Sequence, residues 1–124
     1  MVDCTPIGTI RSEVGDPESL PRQGGPGGVP GVVEIDEPYR AGLAGYDHDR
    51  VVVLWWAHRA DRSVLTVGRG PGVFASRSQN RPNPIGLTVC RVDAVTETGL
   101  EVVGLDAVDG TPVLDLKPPT SAGY

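Results

Sequence analysis

Residues 51–58 read Val-Val-Val-Leu-Trp-Trp-Ala-His, seven apolar side chains closed by a histidine. The run shows no alternation of apolar and polar residues, and it is short for a helix, so it reads as a strand buried on both faces. The two tryptophans are adjacent and must project to opposite sides. One is expected to anchor the core, the other to line a pocket or a subunit contact. His58 closes the strand where the chain re-enters polar loop and is followed by Arg59, a better placement for a binding or catalytic histidine than mid-strand.

The rest of the chain must cover that strand, and its composition points to further strands. The 124 residues suffice for one domain with a modest core. With 17 glycines and 12 prolines, many Val and Thr, and little helical periodicity, the expectation is a mainly β fold with many turns. Residues 5–12 read as a first strand with Ile7 and Ile10 as core candidates. Residues 13–31, with four prolines and six glycines, read as a long loop or lid. Residues 32–35 read as a short strand and 37–43 as one helical turn, with Pro38 near its start and Gly42 near its end. Asp47-His48-Asp49 invites a metal, but neighbouring side chains in extended backbone diverge, so no metal site is expected there. A short strand is expected at 64–67 and a long one at 85–95. A turn at 96–99 then returns the chain along 100–105 as a hairpin. Asp109-Gly110 signals another turn, leading to a last short strand at 113–116.

Residues 72–87 read Gly-Val-Phe-Ala-Ser-Arg-Ser-Gln-Asn-Arg-Pro-Asn-Pro-Ile-Gly-Leu. The segment begins like a short buried strand at Val73-Phe74-Ala75. Pro82 and Pro84 then flank Asn83, which stiffens the backbone and forbids helix. A stiff loop carrying Arg77 and Arg81 suits ligand binding as well as strand capping. From 68 to 92 there are four arginines and no acid, within a chain of net charge −5. An acidic chain is a poor non-specific nucleic-acid binder, so any RNA contact must come from this arginine patch. Cys4 and Cys90 lack metal-ligand spacing and read as free thiols of a reducing compartment, hence cytoplasmic. No signal peptide is evident, and the longest apolar run is far too short to span a bilayer.

Several chemistries lack their motifs: the Gly-x-Ser-x-Gly elbow, the phosphate-binding Gly-x-x-x-x-Gly-Lys loop, and a Cys/His cluster for zinc. What remains is a set of polar groups on turns: Arg22, Gln23, His58, Arg77, Arg81, Asn83, Asp106, Asp109 and Thr111. Asp106 and Asp109, three residues apart, suit acid–base work, Mg²⁺ binding or reception of an ammonium or ribose hydroxyl.

Two long motifs choose among these. Arg77-Ser78-x-x-Arg81-Pro82-Asn83-Pro84-Ile85-Gly86-Leu87 is followed by Asp106-x-Val108-Asp109-Gly110-Thr111-Pro112-Val113-Leu114-Asp115-Leu116-Lys117-Pro118. Together they resemble the TsaA-like family, whose best-known members are S-adenosylmethionine-dependent methyltransferases of threonylcarbamoyladenosine in tRNA. The resemblance extends to Ile7-Gly8-x-Ile10-Arg11-Ser12, Pro21-Arg22-Gln23 and Gly42-Leu43. It implies a small single-domain antiparallel β-barrel-like fold over 1–118, with 119–124 as a tail, which forms homodimers. It implies S-adenosyl-L-methionine bound by Pro21, Arg22, Gln23, His58, Arg59, Arg77, Leu87, Val108, Asp109, Gly110 and Thr111. Arg81 and Asn83 are assigned to the methyl acceptor, and His58 and Asp109 are the candidate bases. The chain departs from the family pattern at 45–50, at Pro119, and in lacking the C-terminal region of the long tRNA-modifying members. A small-molecule acceptor, or a cofactor-binding module without catalysis, therefore stands beside tRNA.

Overall fold

The structure, a computed structural model, describes residues 1–13 and 28–124. Among these, six strands close into an antiparallel barrel. They are β1 (Gly8–Arg11), β2 (Val29–Ile35), β3 (Arg50–Trp56), β4 (Ile85–Val95), β5 (Gly99–Leu105) and β6 (Pro112–Lys117). Around the barrel the order is β1-β2-β5-β4-β3-β6 and back to β1. Closure leaves no long sheet edge to pair with another chain.

The apolar run becomes β3, held by β4 on one edge and β6 on the other. Val51, Val52 and Val53 are buried in succession, as the lack of alternation required. Val51, Val53 and Trp55 join Ile10, Val33, Ile35, Cys90, Leu100, Val102, Leu105 and Val113 in one core cluster. Each fully buried aliphatic side chain contributes about 1.5–3 kcal/mol relative to exposure. Trp55 is the core tryptophan; Trp56 is half-buried, with the Arg62 guanidinium 5.0 Å from its ring centroid.

The β4–β5 hairpin falls where the sequence put it. The Thr96 N–H donates to the Gly99 carbonyl at 2.9 Å, and the Gly99 N–H donates to Thr96 Oγ1 at 3.1 Å. Residues Glu37–Leu43 form a 3-10 helix with proline in its first positions. Other expectations need correction. Val73–Ala75 is a 3-10 turn and no strand: the Ala75 N–H bonds to the Gly72 carbonyl, and Phe74 is 83% exposed. Residues 64–67 contribute only an isolated bridge between Thr66 and Gly72. The expected loop 13–31 is cut short by β2, which starts at Val29. Pro30 is tolerated because β1 pairs only with residues 32–35, so the missing Pro30 N–H faces no partner strand.

The registers place six strand ends at one mouth of the barrel. There β3 ends and β4 begins (Trp56 opposite Ile85), β2 begins and β5 ends (Val29 opposite Leu105), and β1 ends and β6 begins (Thr9 opposite Pro112). The connections 57–84 and 106–111, which carry the two long motifs, both emerge at this mouth. No helix among the described residues is long and apolar enough to cross a membrane.

Candidate functional site

The 57–84 connection has little regular structure, and arginines hold it in shape. Arg81 folds back inside the loop, its guanidinium donating to the carbonyls of Val73 (2.7 Å), Ser76 (3.1 Å) and Ser78 (3.1 Å). Arg62 donates to the Pro82 carbonyl at 2.7 Å and lies 3.5 Å from Asn83 Oδ1. The Asp61 N–H donates to Asn80 Oδ1 at 2.9 Å. The flanking prolines cannot donate, so side-chain donors close this loop where a backbone ladder is missing. Arg77 points elsewhere: it donates to the Tyr124 hydroxyl at 3.0 Å and sits 5.6 Å from that ring's centroid.

At the start of β4, Gly86 stands opposite Trp55 of β3. A Cβ at Gly86 would overlap the indole ring, so glycine lets the tryptophan lie flat against the strand. The Trp55 Nε1–H donates to Thr88 Oγ1 at 3.1 Å. Thr88 in turn forms a short hydrogen bond with Asp106 Oδ1. An indole N–H can only donate and a carboxylate can only accept, so the relay runs from Trp55 on β3 to Thr88 on β4 to Asp106 just past the end of β5. Cys90, one step further inside, has its thiol pushed up to about 12 by burial and then by the Asp106 charge. It is a neutral, inert core thiol.

The 106–111 turn rests on β1. Gly110, at φ 87, donates its N–H to the Ile10 carbonyl, and the Thr111 carbonyl accepts from the Ile10 N–H, both at 2.8 Å. The Thr111 hydroxyl donates to the Val108 carbonyl at 2.7 Å and is buried with it. Asp109 faces away: its carboxylate accepts from the Ser12 N–H at 3.0 Å.

These pieces enclose an open cleft of about 870 Å³, lined by Trp55, Arg77, Arg81, Asn83, Leu87, Thr88 and Asp106 among others, with Ala122, Gly123 and Tyr124 along one wall. A small adjoining crevice is lined by His58, Arg59, Val108 and Thr111. Trp55, Ala57 and Gln79 line both. Arg77, Leu87, His58, Arg59, Val108 and Thr111 are thus brought to one end of the barrel. Asp109 and Gly110 line neither cavity, and Pro21, Arg22 and Gln23 lie outside the described residues. Arg81 and Asn83 reach the cleft wall, but the structure uses Arg81 to hold its own loop. Among the described residues no three His, Cys, Asp or Glu side chains converge as metal ligands would.

Sequence reading did not single out Thr88 or Gly86 as parts of the site, and it divided core and pocket between the two tryptophans, whereas Trp55 serves both. Thr88 is one polar residue in an apolar strand, and only the register shows that its hydroxyl lies between an indole and a carboxylate. The signal for Gly86 was present: a glycine opening an apolar strand marks close approach of another group. Among the described residues the cleft offers arginine donors, the Asp106 carboxylate and an apolar wall at Ile85, Leu87 and Trp55. That combination fits a ligand with an apolar body and separated charges.

Residues 9–122 match the family model of the tRNA-methyltransferase O N-terminal domain. A probable S-adenosyl-L-methionine-binding protein of Halobacterium salinarum is 46% identical over 120 residues, covering 93% of this chain and 96% of the relative. An S-adenosyl-L-methionine-binding protein of Archaeoglobus fulgidus is 38% identical over 118 residues, 90% and 85% of the two chains. The crystal structure of TrmO from Pseudomonas aeruginosa superposes with a TM-score of 0.80 at 33% identity, covering 98% of this chain and 57% of that one. The chain therefore spans a little over half the length of that solved TrmO.

Proposed function

Because the chain belongs to the tRNA-methyltransferase O N-terminal domain family, we propose that it is an S-adenosylmethionine-dependent methyltransferase acting on threonylcarbamoyladenosine of tRNA. The observation that carries the cofactor reading is the meeting of Arg77 and Leu87 in the cleft with His58, Arg59, Val108 and Thr111 in the crevice beside it. Residues far apart in sequence meet there, and the reading is supported by relatives named as binders of this cofactor.

The residues present fit the group. Leu87, Ile85 and the Trp55 face provide an apolar cradle, Arg77 a donor for a carboxylate, and Val108 and Thr111 a wall of the adjoining crevice. When bound, the cofactor supplies an activated methyl group on a sulfonium. The protein's share is positioning and exclusion of water. Arg62 and Arg81 fix the loop that walls the cleft, and Gly86 and Trp55 fix its floor.

A second acceptor class, a small molecule, is favoured by one observation: the net charge of −5 leaves little cationic surface for RNA. The working unit is taken as a homodimer. Leu65, Val67, Phe74 and Ile85 leave large apolar side chains exposed on and around the 57–84 connection, a surface that a second copy can cover. A cytoplasmic location fits the two free thiols.

The deciding experiment feeds methyl-labelled cofactor to the purified protein with total tRNA bearing the modification and, separately, with a small-molecule extract. Label in tRNA is the expected outcome. Label only in the extract moves the assignment to the second class. Tight cofactor binding by calorimetry with label in neither pool makes the protein a binding module. No cofactor binding at all ends the reading. Light scattering that shows only monomer at tens of micromolar would remove the dimer.

A further inference from the structure

We propose that Asp106 is the catalytic carboxylate of the cleft, accepting the hydrogen of the nitrogen to be methylated; this rests on the methyltransferase reading above. Among the described residues lining the cleft and its crevice, Asp106 has the one side-chain carboxylate. The arginines of the same wall cannot accept a proton. The sequence candidates sit less well: His58 lines only the side crevice, and Asp109 is bonded to the Ser12 backbone and lines neither cavity.

Asp106 is also held as a positioned base must be. Thr88 binds its Oδ1, and Thr88 is itself fixed by the Trp55 indole, whose place is set by Gly86. Thr88 and Trp55 are each only 4% exposed, so the relay is rigid and dry on its inner side. A carboxylate on such a support presents one defined acceptor direction to the cleft.

The reacting nitrogen is part of a carbamoylated adenine and is a weak nucleophile. Its lone pair forms the new bond to the methyl carbon while the carbon–sulfur pair departs on sulfur as a neutral thioether. The N–H proton passes to the Asp106 carboxylate and from there to water. Charge and atoms balance with no further reagent.

The test uses Asp106→Asn, which keeps an oxygen for the Thr88 hydroxyl and so preserves the relay. With tRNA carrying threonylcarbamoyladenosine, Asp106→Asn should lose roughly 10²–10⁴-fold in kcat, with cofactor affinity unchanged. Asp106→Glu should recover part of the rate. Independently of turnover, the modified nucleoside should bind to wild-type protein saturated with S-adenosylhomocysteine and bind more weakly to Asp106→Asn. A variant that keeps wild-type kcat, or that loses rate only as it loses cofactor, overturns the assignment. Wild-type protein that neither labels this tRNA nor binds the nucleoside overturns the parent reading and this one with it, and is told apart by the wild-type result.

Discussion

Gly86 lies against the flat of the Trp55 indole, and its missing side chain is what admits the ring. Gly86→Ala forces the indole or the strand to move, and overpacking of this kind costs about 1–3 kcal/mol. The expected result is a lower urea midpoint together with weaker cofactor binding, because the displaced indole also lines the cleft. Cys90 makes a second residue-level prediction. Its folded value of about 12 stands above the ordinary 9.0. Between those values the unfolded chain has lost the proton and the folded chain has kept it, so stability falls as pH rises; below 9.0 both states hold it and no dependence arises. From pH 8 to pH 10 this thiol should remove about 1.4 kcal/mol. Denaturant unfolding at the two pH values checks it: Cys90→Ala should flatten the wild-type decline by that amount.

Among the elements, the 57–84 connection matters most, since it walls the cleft without a strand ladder of its own. Three carbonyls along it, at Val73, Ser76 and Ser78, are gathered by one guanidinium. Arg81→Ala releases all three. Hydrogen bonds to a charged donor contribute about 1.5–3 kcal/mol, and here the loss falls on the loop, because all three acceptor carbonyls belong to it. Protease cleavage within residues 72–80 should accelerate roughly tenfold or more, while the global unfolding midpoint moves little. A large fall in the midpoint would show that Arg81 supports the barrel itself. The same reasoning separates Arg81 from the acceptor role expected of it: its guanidinium is spent on carbonyls before any ligand arrives.

For the whole molecule, charge is the governing quantity. Of the four arginines between 68 and 92, Arg81 is engaged with carbonyls and Arg91 pairs with Asp93 at 2.9 Å. Arg69 and Arg77 remain exposed. With Arg77 assigned to the cofactor carboxylate, one phosphate contact per subunit, at Arg69, predicts a slope of log K against log salt of about −1 for a monomer and about −2 for a dimer. Filter binding of tRNA at several salt concentrations measures it. A slope near zero would remove phosphate recognition by this face and favour the small-molecule acceptor.

The sequence by itself determined the barrel's strongest members. The unbroken apolar run of β3, the hairpin around Thr96 and Gly99, and the Asp109-Gly110 turn are local signals, set by side-chain pattern and turn chemistry, and they appear in the structure where they were expected. The family motifs likewise marked the residues at 77–87 and 106–118 before any coordinates. Residues 73–75 and 64–67 depart from expectation because short apolar runs do not distinguish a strand from a turn; the first is tied to Arg81, eight residues from Val73, and the second to residues 71–73. Barrel closure and register were beyond local reading too. They alone bring Trp55 and Thr88 from two strands and Asp106 from the turn after a third into one hydrogen-bonded line, and they turn Asp109 toward Ser12 and out of the cleft. Two aspartates three residues apart are equivalent in sequence. Tertiary structure separates them, because only one lies where neighbouring strands supply a buried hydroxyl to hold it.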